Sequence, residues 1–272
     1  MNALGTIQLH QGTVYGPVVS RRLGRSLGIN LLPNEIKVCS LDCGYCQFSW
    51  TGILSCHPRH FSAFLPSRDE VLSSLESSLK TLAGEGAPPD RITFSGNGEP
   101  TLHPEFASLV DDVVSLRDIY APSCRTAALS NSTTAFNPGI RSALLRLDEP
   151  MMKLDAGSEE VFLRVNRPAR GVRFYEILKG LEAMGAGMVL QSIFVDGSVS
   201  NLSDEDVDDW CQAVRRIGPS AVQIYSLSRG TADRGLVSVP SEKLKAVSRR
   251  LEEIWGRPGE VYTFPLDERE EP

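Results

Sequence analysis

KVCSLDCGYCQF, residues 37–48, sets Cys39, Cys43 and Cys46 in a C-x3-C-x2-C spacing shortly after an apolar run, LGINLL at 27–32. Three thiolates on one short loop suffice to hold a soft metal centre, because the ligands converge without help from distant chain. What surrounds the triad decides which centre it is.

Outward from it, a short apolar run followed by a longer stretch of helical spacing recurs along the chain. The runs are LGINLL (27–32), RITFS (91–95), RTAALS (125–130), MMKLD (151–155), MVLQSIFV (188–195) and AVQIYSL (221–227). Helices are predicted between and after them at 67–83, 105–118, 138–147, 173–184, 203–216 and 241–255. In the first helix Val71, Leu72, Leu75 and Leu79 lie at three- and four-residue intervals, one face of a helix. Strands alternating with helices predict a parallel α/β sheet with right-handed crossovers. Six such units fit an open doubly wound sheet or an incomplete (β/α) barrel, and periodicity alone does not choose between them.

The chain has 272 residues, 41% of them apolar, a size and composition that predict one globular domain. Its core is expected over about 14–230, with a C-terminal helix and an acidic tail in 231–272. Lys and Arg number 28 against 34 Asp and Glu, a net charge of −6 that argues against a basic nucleic-acid-coating protein. No apolar run reaches the roughly 18 residues of a membrane span, and the first residues do not read as a secretion signal. A cytoplasmic protein without membrane association is therefore expected.

The six cysteines are too few for a disulfide scaffold, and an odd trio in a reducing compartment has no stable pairing. Cys43 and Cys46 alone form a C-x-x-C redox pair, which leaves Cys39 without purpose. Structural zinc needs a fourth ligand, and Cys56 or His57 is near enough in sequence to supply one. An iron-sulfur cube held by three thiolates leaves one iron open to a small molecule. Cys124 and Cys211 read as buried apolar residues.

Further polar groups fall at the C-terminal ends of the predicted strands, where parallel α/β folds place their sites. FSGNGEPTLHP (94–104) follows the second strand, with Gly96 and Gly98 permitting close backbone approach and Glu99 offering a carboxylate to a ligand or to the next helix. Ser130 and Asn131 end the third strand. Lys153 and Asp155 share one face of the fourth by the period of two, as a site pair or a salt bridge, and Gln191 interrupts the fifth.

Together these segments resemble the radical S-adenosylmethionine (SAM) superfamily. Within it, SRRLGRSLGINLLP (20–33), KVCSLDCGYCQ, FSGNGEPTLHP, MMKLDAG, FLRVNRP (162–168) and VQIYSL (222–227) are similar to the wyosine-synthase-like branch. The resemblance implies an incomplete barrel of six βα units, with Cys39, Cys43 and Cys46 ligating a [4Fe-4S] cluster that SAM meets at the open iron. It further implies that Gly96, Asn97, Gly98 and Glu99 hold the methionyl amine and that Tyr45 touches the adenine. Ser130, Asn131, Lys153 and Asp155 would line the SAM pocket, with Gln191 counted among the cofactor-binding residues. Reductive cleavage to a 5′-deoxyadenosyl radical, hydrogen abstraction from a substrate and an external one-electron donor of flavodoxin or ferredoxin type are implied with it.

Archaeal wyosine synthases carry a second cysteine triad, whereas residues 1–38 contain no cysteine, and SRGTADRGL follows VQIYSL where relatives are proline-rich. The substrate therefore stays open. A tRNA would rest on Arg21, Arg22 and Arg25 and on Arg164, Arg167, Arg170 and Arg173, a reading that the net charge disfavours. A zinc-stapled interaction module without catalysis is the alternative of another class.

Overall fold

The computed structural model describes residues 5–20 and 22–263; Arg21 and the acidic tail at 265–272 lie outside the described residues. The N-terminal half contains β1 (Val14–Ser20), β2 (Gly24–Ile29), β3 (Val38–Cys39), β4 (Ile53–Leu54), α1 (Arg68–Gly84), β5 (Arg91–Phe94), α2 (Phe106–Tyr120), β6 (Arg125–Ser130) and α3 (Pro138–Leu144). The second half adds β7 (Glu149–Lys153), α4 (Glu159–Asn166), α5 (Phe174–Met184), β8 (Val189–Ile193), β9 (Val195–Gly197), α6 (Asp204–Ile217), β10 (Ala221–Tyr225), β11 (Leu236–Ser238), α7 (Ser241–Trp255) and β12 (Glu260–Tyr262).

Eight strands form the main sheet in the order β1-β2-β5-β6-β7-β8-β10-β12, open between its two edge strands. All neighbours are parallel except β1, which folds back antiparallel on β2. Each predicted run holds a strand of this sheet, although two strands escape the apolar pattern. In β1, VYGPVVS, no face is fully buried and Val19 is 81% exposed, so there is no apolar alternation to read. The last strand, β12, is three residues long and only half-buried.

The helices follow local chemistry. Ser67 and Glu70 form a capping box at the start of α1, and Val71, Leu75, Leu79 and Leu82 are its buried stripe. Asp204, Glu205 and Asp206 lie in the first turn of α6 and Arg215 and Arg216 in its last, each charge suited to its end of the helix dipole. The structure corrects the sequence reading in the segment after β7, where α4 is an additional helix before the predicted one. MVLQSIFV also divides: β8 stays in the main sheet, while β9 leaves it to pair with β11.

Leu75, Leu79, Ile92, Phe94, Phe106 and Trp210 are among the largest fully buried side chains. Phe94 meets Phe106 edge-on at 5.4 Å, and Phe194 meets Trp210 at 5.1 Å, joining helices to the sheet. Burying each such side chain stabilises the fold by roughly 1.5–3 kcal/mol. Cys124 and Cys211 belong to this core.

Candidate active site

The triad begins on β3, which is sewn to the loop after β5. Val38 N donates to Asn97 O at 3.0 Å, Glu99 N donates to Val38 O at 3.2 Å, and Val38 bridges Gly98 in parallel fashion. A Cβ on Gly98 would stand 1.7 Å from Val38 O, and its φ of +141° disfavours other residues as well. At Gly96 a Cβ would reach within 2.4 Å of Asn30 Oδ1. Both glycines are thus required by the close approach of the protein to itself.

Cys39 and Cys43 are buried and Cys46 is half-buried; all three line one cavity of 360 Å³. Asn131 Nδ2 donates to Cys39 Sγ at 3.4 Å, and Asn166 Nδ2 points at Cys43 Sγ at 3.5 Å. Lys37, also buried, donates to Ser49 O at 2.8 Å and lies beside the three cysteines, whose charge outweighs burial and raises its pKa. Burial pushes the Cys39 thiol up to about 12 and the Cys43 thiol up to about 11. Held as thiolates, they need a strongly positive partner. Three thiols on one cavity wall, with amide donors aimed at two sulfurs and an ammonium nearby, fit an iron-sulfur cube with three protein ligands.

They do not fit closed zinc. Cys56 Sγ contacts Arg170 O at 3.6 Å, His57 packs on His60 at 5.7 Å, and neither lines the cavity. Among the described residues no three His, Cys, Asp or Glu side chains converge on a single ion.

Glu99, joined to Cys39 through Asn131, is 1% exposed. Its Oε1 accepts from Thr101 N at 3.2 Å, Thr101 Oγ1 at 2.5 Å and Ser130 Oγ at 3.0 Å, and its Oε2 accepts from Asn131 N at 2.5 Å. Burial raises the carboxyl pKa, and these hydrogen bonds pull against it. Glu99 is therefore the cap of the short turn Pro100–Leu102 and a wall of the cavity at once.

Of the ten side chains expected around the cofactor, Tyr45, Gly96, Gly98, Glu99, Ser130, Asn131, Lys153 and Gln191 line this cavity. Asn97 and Asp155 stand behind its wall, which corrects their placement. Asn97 Nδ2 donates to His10 O at 3.0 Å and Pro33 O at 2.8 Å, using the amide to pin the N-terminal segment. Asp155 lies just past the end of β7 and accepts from Tyr45 Oη, from Asn166 Nδ2 and Ile193 N at 2.9 Å each, and from Lys153 Nζ at 2.9 Å. It fixes Tyr45 and Lys153 without reaching the cavity itself. Lys153 Nζ also donates to Tyr225 Oη at 2.8 Å and sits 5.0 Å from the Tyr45 ring and 4.8 Å from the Tyr225 ring. Gln191 Nε2 donates to Gln223 Oε1 at 2.8 Å.

The structure adds Asn166, Arg22 and Tyr225 to the site's surroundings. Asn166 and Tyr225 were visible only as parts of FLRVNRP and VQIYSL, with no spacing to mark them. Arg22 was grouped with a surface patch, yet it lines the cavity and stacks over Tyr225 at 4.5 Å. In the other patch Arg164 bonds Glu160 at 3.2 Å and Asp206 at 2.9 Å and Arg167 stacks on Trp50 at 4.7 Å, while Arg167, Arg170 and Arg173 are exposed.

A mostly parallel sheet with its polar residues gathered at the strand ends around a three-cysteine loop defines a class: an α/β enzyme built as a partial barrel, with a metal cluster at one rim. The chain belongs to the radical SAM superfamily, whose family pattern matches residues 36–216. It is 30% identical over 88% of its length to a "GTPase Obg" of Brachyspira hyodysenteriae, covering 33% of that protein. To the UPF0026 protein MJ1312 of Methanocaldococcus jannaschii it is 28% identical, over 89% of the chain and 72% of that protein. The chain thus spans a third of the first relative and nearly three quarters of the second.

Among solved structures it is similar to a radical SAM methyltransferase from Sphaerobacter thermophilus, with TM-score 0.62, 13% identity, and 87% of this chain and 65% of that chain covered. TYW1 with a lysine-pyruvate adduct bound is similar at TM-score 0.55 and 13% identity, over 85% of this chain and 75% of that one. Both likenesses are of fold, a partial barrel. Family membership makes the chain a radical SAM enzyme domain, a class that uses a [4Fe-4S] cluster and SAM. A non-catalytic zinc module is thereby set aside.

Proposed function

We propose that Cys39, Cys43 and Cys46 ligate the cluster and that the adjoining cavity takes SAM, whose cleavage starts hydrogen abstraction from a substrate bound in the same space. One observation carries this reading: the three thiols and the Gly96–Glu99 loop face a single cavity, joined through Val38 and Gly98. A cluster held by Cys39, Cys43 and Cys46 would supply the electron for reductive cleavage of SAM. Everything else belongs to the chain's own residues. Asn131 and Asn166 donate to cysteine sulfurs and so orient them. Glu99, in no ion pair among the described residues, offers its carboxylate to the methionyl amine, while the ring of Tyr45, fixed through Asp155, presents a face to the adenine. Leu41, Leu129 and Ile193 make the wall apolar and keep water from a reactive intermediate.

The electron is proposed to come from a separate flavodoxin- or ferredoxin-type protein. The cytoplasm is the proposed compartment, and no helix among the described residues is long and apolar enough to cross a membrane. A wyosine-type action on tRNA has less support, because Arg164 is already paired with Glu160 and Asp206 and the net charge is −6, so that of that patch only Arg170 and Arg173 are exposed and in no ion pair among the described residues.

Anaerobic reconstitution tests the reading. The expected result is about four iron and four sulfide per chain, with 5′-deoxyadenosine and methionine formed on adding dithionite and SAM. Cys43→Ser is expected to lose both the cluster and the products. A colourless protein that binds one zinc and leaves SAM intact would overturn it.

A further inference from the structure

The cavity is far more basic than the molecule around it. Among the described residues it is lined by four cations, Arg22, Lys37, Lys153 and Arg229, and by one carboxylate, Glu99, in a chain of net charge −6. Two of the cations are accounted for. Lys153 is paired with Asp155 at 2.9 Å, and Lys37 faces the three cysteines. Arg229, exposed at the rim, reaches only the neutral Gln47 Oε1 at 3.4 Å.

Among the described residues Arg22 is in no ion pair. Its guanidinium lies 4.5 Å over the Tyr225 ring, and its Nη1, shut off from solvent, has no hydrogen-bond partner. Buried donors are nearly always satisfied, so an unmet guanidinium N–H beside a cavity points to a group that arrives with a ligand. Arginine's planar fork matches carboxylate and phosphate oxygens, and stacking on an aromatic face holds that fork in place.

We infer that Arg22, backed by Arg229 at the rim, binds an anionic group, carboxylate or phosphate, of a small-molecule substrate. The inference rests on the cluster-and-SAM reading above and adds the substrate's chemical class to it. Tyr225, Lys153 at 4.8 Å from that ring and Tyr45 at 5.0 Å from Lys153 link Arg22 to the triad side of the cavity, and equilibrium dialysis of SAM against Arg22→Gln distinguishes a substrate anion from the carboxylate of SAM. A small molecule fits better than a polynucleotide: Arg22 is half-buried inside the cavity, and the outward-facing Arg164 is neutralised by Asp206 and Glu160.

The test is calorimetric titration of the reconstituted, SAM-loaded protein with inorganic phosphate in one arm and acetate in the other. One of the two anions is expected to bind, and which one identifies a phosphoryl or a carboxyl substrate. Arg22→Gln is expected to weaken that binding at least tenfold, Arg22→Lys to retain part of it, and Arg229→Gln to weaken it less. Absence of binding by both anions, or unchanged binding in Arg22→Gln, would overturn the inference. So would loss of SAM binding by Arg22→Gln in equilibrium dialysis, since the guanidinium would then serve SAM, or bulk tRNA competing for the site at lower concentration than either anion. Iron and sulfide analysis on the same samples separates these outcomes from failure of the underlying reading, which would show as a wild-type protein without a cluster.

Discussion

At Glu99 one carboxylate caps a turn and faces a ligand cavity, and the two tasks can be separated. Glu99→Gln keeps the volume and the oxygen that accepts from Thr101 and Ser130, gives up the one that accepts from Asn131 N, and removes the charge proposed to meet SAM. It is expected to retain iron and sulfide at wild-type levels and to weaken SAM at least tenfold in equilibrium dialysis. Unchanged SAM affinity would remove Glu99 from the binding set. The carboxylate was legible in the sequence because it stood beside two glycines just past a strand. Its neighbour Asn97 read equally well and proved to face the other way, bonded to His10 and Pro33. Residue type and spacing place a group on a loop, but which way an asparagine turns depends on backbone brought from 64 and 87 residues away. The same limit hid Asn166, whose sulfur partner Cys43 lies 123 residues earlier.

At the scale of elements, the parallel bridge between Val38 and Gly98 is where the metal loop and the GNGE loop become one unit. Gly98→Ala brings a methyl group against Val38 O and imposes an unfavourable φ, so the two loops must part. Iron content after reconstitution is expected to fall below half of wild type, with far-ultraviolet circular dichroism little changed because the sheet and helices remain. Full cluster occupancy in Gly98→Ala would show that the loops need not touch. Helices were the most readable elements. Apolar spacing and capping residues are local signals, and they placed α1, α2, α6 and α7 within about two residues. The edge strands β1 and β12 were not readable, because an edge strand with no buried face leaves no period-two pattern. Strand number was therefore underestimated at both ends of the sheet, while the parallel order between them held.

For the whole molecule, the two ends of the sheet divide the labour. The cavity proposed to hold the cofactors lies at the C-terminal ends of the strands, and the opposite end carries a polar lattice. Arg91 pairs with Glu149 at 2.5 Å, and Asp148 accepts from Arg117 Nη1 at 2.9 Å and Thr126 N at 2.7 Å, tying α2, β5, β6 and β7 together. Burial raises the Asp148 pKa, but the hydrogen bonds from Thr126 and Arg117 outweigh it and leave the carboxyl below its ordinary range. A depressed folded-state pKa adds stability above the unfolded value and loses it as pH falls through the folded one. Between pH 7 and about pH 3, urea unfolding of Asp148→Asn is therefore expected to lose less stability than wild type. An equal acid loss in both would show that Asp148 contributes nothing to it.

The clamp on the triad loop also carries a consequence in time. Asp42 N bonds Asn166 O at 3.1 Å, Ala169 N bonds Ser40 O at 2.9 Å, and Leu41 bridges Pro168. The cysteines leave the ribosome early, yet the backbone that seats them is synthesised more than a hundred residues later. A chain stalled before Asn166 has emerged leaves the triad loop without this brace and is expected to retain less iron on reconstitution than one stalled after Ala169.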